Sequence, residues 1–183
     1  MMNTTTTLRK LALALTTTAL VALAAGTAQA ASDGLLGLTS IGTTDVTITK
    51  GDLAQITGLT DIALAPWNTG SPAPAGVTTA CVYTSTGGYQ VTATSANTSG
   101  VDFRLFDGAL NFITYTMTYN DGVIGAQAMT SGLVQVGQTG DNVSVNCGGG
   151  FPATIAVGIT VAQMNGAAAG AYSDTLTLLI APE

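Results

Sequence analysis

The stretch NFITYTMTY, residues 111–119, changes side-chain character at nearly every step. Ile113, Tyr115, Met117 and Tyr119 share one parity, and Thr114, Thr116 and Thr118 share the other. In an extended chain successive side chains point to opposite faces, so this pattern describes a strand with one apolar and one hydroxyl-bearing face. The same period recurs along the chain. Tyr89, Val91 and Ala93 alternate with Gln90, Thr92 and Thr94 in GYQVTATSA. Ile155, Val157, Ile159 and Val161 share a face in ATIAVGITV, and Val143, Val145 and Cys147 do so in NVSVNC. Near the C-terminus Tyr172, Asp174, Leu176, Leu178 and Ile180 fall opposite Thr175 and Thr177. β-Branched and aromatic residues of this kind suit a pleated, half-buried surface.

Turn signals separate these runs. YNDG at 119–122 reads as a hairpin turn, because Asp-Gly tolerates positive φ. STGG at 85–88, NTSG at 97–100 and CGGG at 147–150 are further breaks. PWNTGSPAPAG, 66–76, is a Pro- and Gly-rich loop long enough to cross between sheets. VAQMNGAAAG, 161–170, hints at a helical turn and reads as a loop before the last strand. Many short strands with turns every 8–12 residues predict an all-β sandwich.

The first thirty residues carry a different signal. Arg9 and Lys10 precede an Ala-rich apolar run, and Ala28-Gln29-Ala30 forms an A-x-A cleavage site. Residues 1–30 are therefore expected to be a signal peptide, leaving an exported chain of about 150 residues, the size of one domain. No other stretch is apolar enough to span a bilayer, so no membrane insertion is expected after cleavage. The remaining bases are Lys50 and Arg104, set against ten acids. Such a chain lacks the Lys and Arg contacts that nucleic acid or anionic lipid requires.

Only two cysteines occur, Cys81 and Cys147. In an exported protein an even count favours a disulfide. The chain contains no His, which excludes Ser-His-Asp and Cys-His catalysis and imidazole metal sites. Asp102 and Asp107 in VDFRLFDG come closest to a carboxylate pair for glycoside chemistry. Asp102 reads better as an ion-pair partner of Arg104, and Asp107-Gly108 as a turn. Asp121 and Asp141 sit in Gly-containing turns without the spacing of a calcium loop. Trp67 either caps the core or offers a stacking face to a sugar. Asp174 falls on the inward side of the last strand and needs a hydrogen-bond donor there. No catalytic residue and no cofactor are expected.

The segment ASDGLLGLTSIGTTDVTITKGDL follows the leader. Leu36, Leu38, Val46 and Ile48 share a face with small residues between them, predicting an extended strand over 34–49 that Lys50-Gly51 ends. Three features together resemble the spore coat protein U domain family, which overlaps the archaic chaperone–usher pilins of Gram-negative bacteria. They are the Thr-rich strand GTTDVTIT, the stretch CVYTSTGGYQVTATSANTSG, and the ending AGAYSDTLTLLIAPE, with Gly170, Tyr172, Asp174 and Leu176 in a Gly-x-Tyr-x-Asp-x-Leu pattern.

The resemblance implies an immunoglobulin-like sandwich that lacks its last strand and is completed by donor-strand exchange. Residues 31–50 would then be an N-terminal extension and candidate donor strand, and 51–183 the pilin-like domain. Leu36, Leu38, Val46 and Ile48 would fill a groove, and Tyr172, Asp174, Leu176, Leu178 and Ile180 would form its edge strand. The implied partners are other copies or related subunits, a periplasmic chaperone and an outer-membrane usher. The implied destination is the periplasm and then the cell surface, as a pilus or coat-like fibre. The chain departs from the family in having no cysteine in DLAQITGLTDIAL, just after the candidate donor. Two other readings stay open: residues 43–49 as the first strand of a complete sandwich, and a self-contained β-sandwich that binds a ligand such as a carbohydrate through Trp67.

Overall fold

The computed structural model describes residues 32–150 and 152–183, and the expected leader, residues 1–30, lies outside them. The chain divides into two compact units between Thr49 and Lys50. Among the described residues, nine strands build the C-terminal unit: β1 Ala54–Thr57, β2 Ala75–Thr84, β3 Gly88–Ser95, β4 Phe103–Phe106, β5 Phe112–Asn120, β6 Gln127–Ala128, β7 Val134–Thr139, β8 Ala153–Gly158 and β9 Leu176–Pro182. One antiparallel sheet has the order β1-β2-β8-β5-β4, with β6 also on β5, and the other has the order β7-β3-β9. The fold is an all-β sandwich.

The alternation read from the sequence decides which faces meet. Ile113, Tyr115, Met117 and Tyr119 of β5 are all buried, as are Tyr89, Val91 and Ala93 of β3 on the opposite sheet. Ala80 and Val82 of β2 and Ile155 of β8 complete the centre. The sheets are also joined by hydroxyls, since Tyr89 Oη and Tyr119 Oη lie 2.6 Å apart in a fully buried contact. Two phenols can bury there because each satisfies the other.

Several expectations are corrected. NVSVNC forms no strand: Val143 is 90% and Val145 53% exposed. Asp141 Oδ1 accepts from the amides of Val143 (2.7 Å) and Ser144 (2.8 Å), which bends the backbone locally instead of freeing it for a ladder. Those two bonds, Ser144 first, also hold the Asp141 carboxyl below its usual range. Val161 leaves the β8 pattern to open a short helix, α1, Val161–Gly166, where Thr160 Oγ1 accepts from Gln163 N (3.2 Å) as an N-cap. The loop 58–74 returns to β2 in the same sheet as β1 and does not cross the sandwich. Trp67 folds its Pro-rich end back on itself, with the indole N–H shared between the carbonyls of Ser71 (3.2 Å) and Pro72 (3.1 Å). The Asp102–Arg104 ion pair does not form among the described residues. Arg104 instead donates to the carbonyls of Asn97 (2.9 Å) and Thr98 (3.3 Å) and lies 4.1 Å above the Phe112 ring.

Cys81 and Cys147 are joined as a disulfide across a sequence separation of 66. It ties the irregular 141–150 stretch to buried β2.

Candidate functional site

The last strand is an edge. β9 pairs with β3 alone, from Tyr89 opposite Pro182 to Ser95 opposite Leu176. Bonds from Ala96 N to Thr175 O (3.0 Å) and from Glu183 N to Gly88 O (3.1 Å) fix the parity of the ladder. Odd-numbered residues of β9 therefore address β3, while Leu176, Leu178 and Ile180 turn their N–H and C=O outward. Those outward groups have no backbone partner among the described residues. Pro182 shares this parity and has no N–H, so the donating edge ends at Ile180.

β1 of the other sheet approaches β9, and a gap remains beside Leu176 and Leu178. A cleft of about 400 Å³ opens between β9 and the segment that follows β1. Leu59, Ile62 and Leu64 form one wall, Leu176 and Leu178 the other, and Ile155 and Val157 of β8 the floor. Leu176, Leu178 and Ile180 carry the inward parity of a core strand, yet each is only partly buried. The segment 59–64 lies along β2 without joining its ladder. Thr78 Oγ1 takes its place in the bonding, accepting from Thr60 N at 3.1 Å and lying 2.9 Å from Thr60 Oγ1. Gly76 permits the approach, because a Cβ there would lie 2.5 Å from Ile62 Cγ2.

The opposite edge of the smaller sheet is closed. Thr139 N of β7 donates to Asp121 Oδ2 (2.8 Å), while Asp121 Oδ1 accepts from the amides of Val123 (2.9 Å) and Ile124 (2.8 Å). Burial raises the Asp121 carboxyl, but these amide donors together outweigh it and hold the group below its usual range. A register shift between Tyr89 and Val91, with Gly137 at φ 74°, adds a bulge to β7. Sheets blunt exposed edges in these ways to prevent pairing with other chains. β9 carries no such device along Leu176–Ile180.

One end of the cleft is polar. Tyr115 Oη donates to Asp174 Oδ2 (2.6 Å), and Asp174 Oδ1 accepts from Asn97 Nδ2 (3.0 Å) and Asn97 N (3.3 Å). Burial, and then the bond to Asp174, pushes the Tyr115 phenol well above its ordinary value. Asp61, exposed, lines the same cleft.

No protein-family model matches the chain, and no curated protein matches it. Among solved structures it is similar to a chain of a chaperone–tip adhesin complex of CFA/I fimbriae, with 19% identity and a TM-score of 0.49. The similarity covers 71% of this chain and 42% of that one, so this chain spans less than half of that chain's length.

The residues expected to edge a groove divide into two groups. Leu176, Leu178 and Ile180 lie in β9 and face inward. Tyr172 and Asp174 precede the strand, because Ser173 exchanges both backbone bonds with Phe106 of β4 (2.9 and 3.0 Å) before the chain passes to β3. The expected extended strand over 34–49 is not formed. Ser32 and Thr43 exchange backbone bonds (3.0 Å each), closing a loop that contains Leu36 and Leu38. Gly34 eases that reversal, since a Cβ there would lie 3.0 Å from the backbone N and O of Ile41. Residues 44–50 carry no regular structure. All four candidate donor residues are exposed: Leu36 and Leu38 completely, Val46 by 92% and Ile48 by 95%.

The other weighed residues serve the fold locally. Asp107 accepts from Asn111 Nδ2 (2.5 Å), Ala109 N (2.8 Å) and Asn111 N (3.1 Å), the first of which does most to lower its carboxyl. Trp67 is half-buried beside a second cleft of about 360 Å³, with Met164 and Tyr172. Sequence reasoning missed Leu59, Ile62 and Leu64 as a wall. The two-residue spacing of Ile62 and Leu64 was the available signal. It also missed Tyr115 as the donor to Asp174, for which a separation of 59 residues leaves no local trace.

Proposed function

We propose that this chain is a non-catalytic structural subunit of an exported surface fibre, a pilus or coat-like filament, assembled by strand addition. A strand from another copy joins β9 and lays alternate apolar side chains into the cleft. The observation that carries this reading is the conjunction at β9: outward N–H and C=O groups on Leu176, Leu178 and Ile180, beside a largely apolar cleft that Leu176 and Leu178 line and that leaves these side chains only partly buried. β-Augmentation uses main-chain bonds for affinity and alternate side-chain pockets for specificity. Because donor and acceptor are different segments of the chain, the contact is heterologous, and one that does not close on itself propagates. The donor is the N-terminal extension, whose Leu36, Leu38, Val46 and Ile48 are exposed at two-residue spacings. The open edge requires cover before assembly, which is the role of a periplasmic chaperone, with an outer-membrane usher as the exit. The immunoglobulin-like character of the sandwich belongs to this reading too.

Deleting residues 31–49 tests it. Polymer growth is expected to stop while capture by the chaperone continues, because the acceptor cleft lies wholly within residues 59–178. Loss of folding on deletion would instead make the segment part of the core. The competing reading, a self-contained binding module using Trp67, predicts a stable monomer that never engages a chaperone. Trp67 has already committed its indole N–H to its own loop.

A further inference from the structure

We propose that Lys50 of one copy pairs with Asp174 of the next, and that this contact sets the direction and register of the strand inserted beside β9. The inference rests on the strand-addition reading above and specifies the part of the extension that binds. Its starting point is the charge inventory. Of the two bases beyond residue 30, Arg104 is committed to the carbonyls of Asn97 and Thr98 and to the Phe112 ring. Lys50 is exposed, and it stands two residues beyond Ile48, on the same parity as Val46 and Ile48.

Asp174 lies at the start of β9, where it meets Tyr115, whereas Asp61 stands along the wall between Thr60 and Ile62. At the far end Pro182 offers no N–H, and the Glu183 carboxylate already accepts from Gly137 N (3.1 Å). A strand with a basic C-terminal end therefore lies antiparallel to β9, with Lys50 opposite Asp174. Ile48 then falls opposite Leu176, Val46 opposite Leu178 and Thr44 opposite Ile180. Every one of these β9 residues from Leu176 to Ile180 presents its N–H and C=O outward, so each pair can exchange two backbone bonds. Gly42 meets Pro182, where no donor exists and no bulk is needed. Asp174 keeps lone pairs for a cation, since a carboxylate offers about four acceptor positions and Tyr115 and Asn97 occupy three of them. The alternative register uses Leu36 and Leu38 and brings Ser40 to Asp174, which leaves the acidic end without a cation.

Cross-linking between copies of the full chain tests the register. One preparation carries Ile48→Cys and a second, mass-tagged preparation carries Leu176→Cys. Directly opposed antiparallel residues stand about 5.5 Å apart at Cα, within disulfide range. The expected product is an Ile48–Leu176 heterodimer, with none from Leu38→Cys paired with Leu176→Cys or from Ile48→Cys paired with Ile180→Cys. Lys50→Glu should lower the heterodimer yield about fivefold at low salt, the scale of one partly exposed charge pair, and the effect should shrink at about 1 M salt. Cross-linking from Leu38 refutes the register, and cross-linking to Ile180 refutes the direction. An unchanged yield with Lys50→Glu refutes the role of the charge pair. If no heterodimer forms at any pair, the register is wrong even where fibres grow. Whether growth needs residues 31–49 decides the underlying reading separately.

Discussion

Moving the proposed donor segment into the acceptor's own chain would convert the proposed assembly contact into a stability measurement. The perturbation removes residues 31–49 and appends residues 42–50 after Glu183 through a short Asn-Gly turn, which favours the hairpin geometry. A matched insert replaces Val46 and Ile48 by Ser. The two inserts share the same backbone bonds, turn and chain entropy, so those contributions cancel in the difference. What remains is the burial of two aliphatic side chains, about 1.5–3 kcal/mol each and therefore about 3–6 kcal/mol together. The cleft of about 400 Å³ beside the partly buried Leu176 and Leu178 is the space these side chains would fill. Urea unfolding followed by tryptophan fluorescence reads the result through Trp67. With a slope of about 2 kcal/mol per molar urea, the apolar insert should move the midpoint upward by about 1.5–3 M relative to the Ser insert. A difference under about 1 kcal/mol would mean that the cleft does not receive these side chains, and the strand-addition reading would lose its physical basis.

Three further outcomes test the sandwich itself. Tyr89→Phe should destabilise by about 1–3 kcal/mol, because it strands the buried Tyr119 hydroxyl, and the double Phe variant should cost less than the sum of the singles. Burial pushes the Tyr119 phenol up to about 12, so its protonated form supports the fold fully below pH 10, and that support should fade as pH rises toward about 12 in an alkaline unfolding series. At the acid end the Asp121 carboxyl is held below its ordinary value, so its contribution is present above that value and is lost as pH falls through the depressed one. Asp121→Asn should flatten the acid limb of a stability–pH curve, and an unchanged limb would show that the Thr139, Val123 and Ile124 amides do not depend on the charge.

The sequence by itself determined the class of structure and the inward face of most strands. Period-two alternation is a local property, and burial of Ile113, Tyr115, Met117 and Tyr119 follows from it once any second sheet covers them. Alternation does not name a strand's neighbours, however, because every strand has two edges and the pattern describes only its faces. The tertiary structure alone decided that β9 keeps one edge open, that Leu59, Ile62 and Leu64 wall a cleft beside it, and that Asp174 meets Tyr115. Local polar competition misled the pattern where it failed. At residues 141–147 the Asp141 carboxylate captured two amides that a strand would have used. Over residues 32–43 the absent side chain of Gly34 let the chain reverse where apolar spacing alone favoured extension. Spacing fixes what a segment can bury; which partner it finds depends on backbone bonds formed far away in the chain.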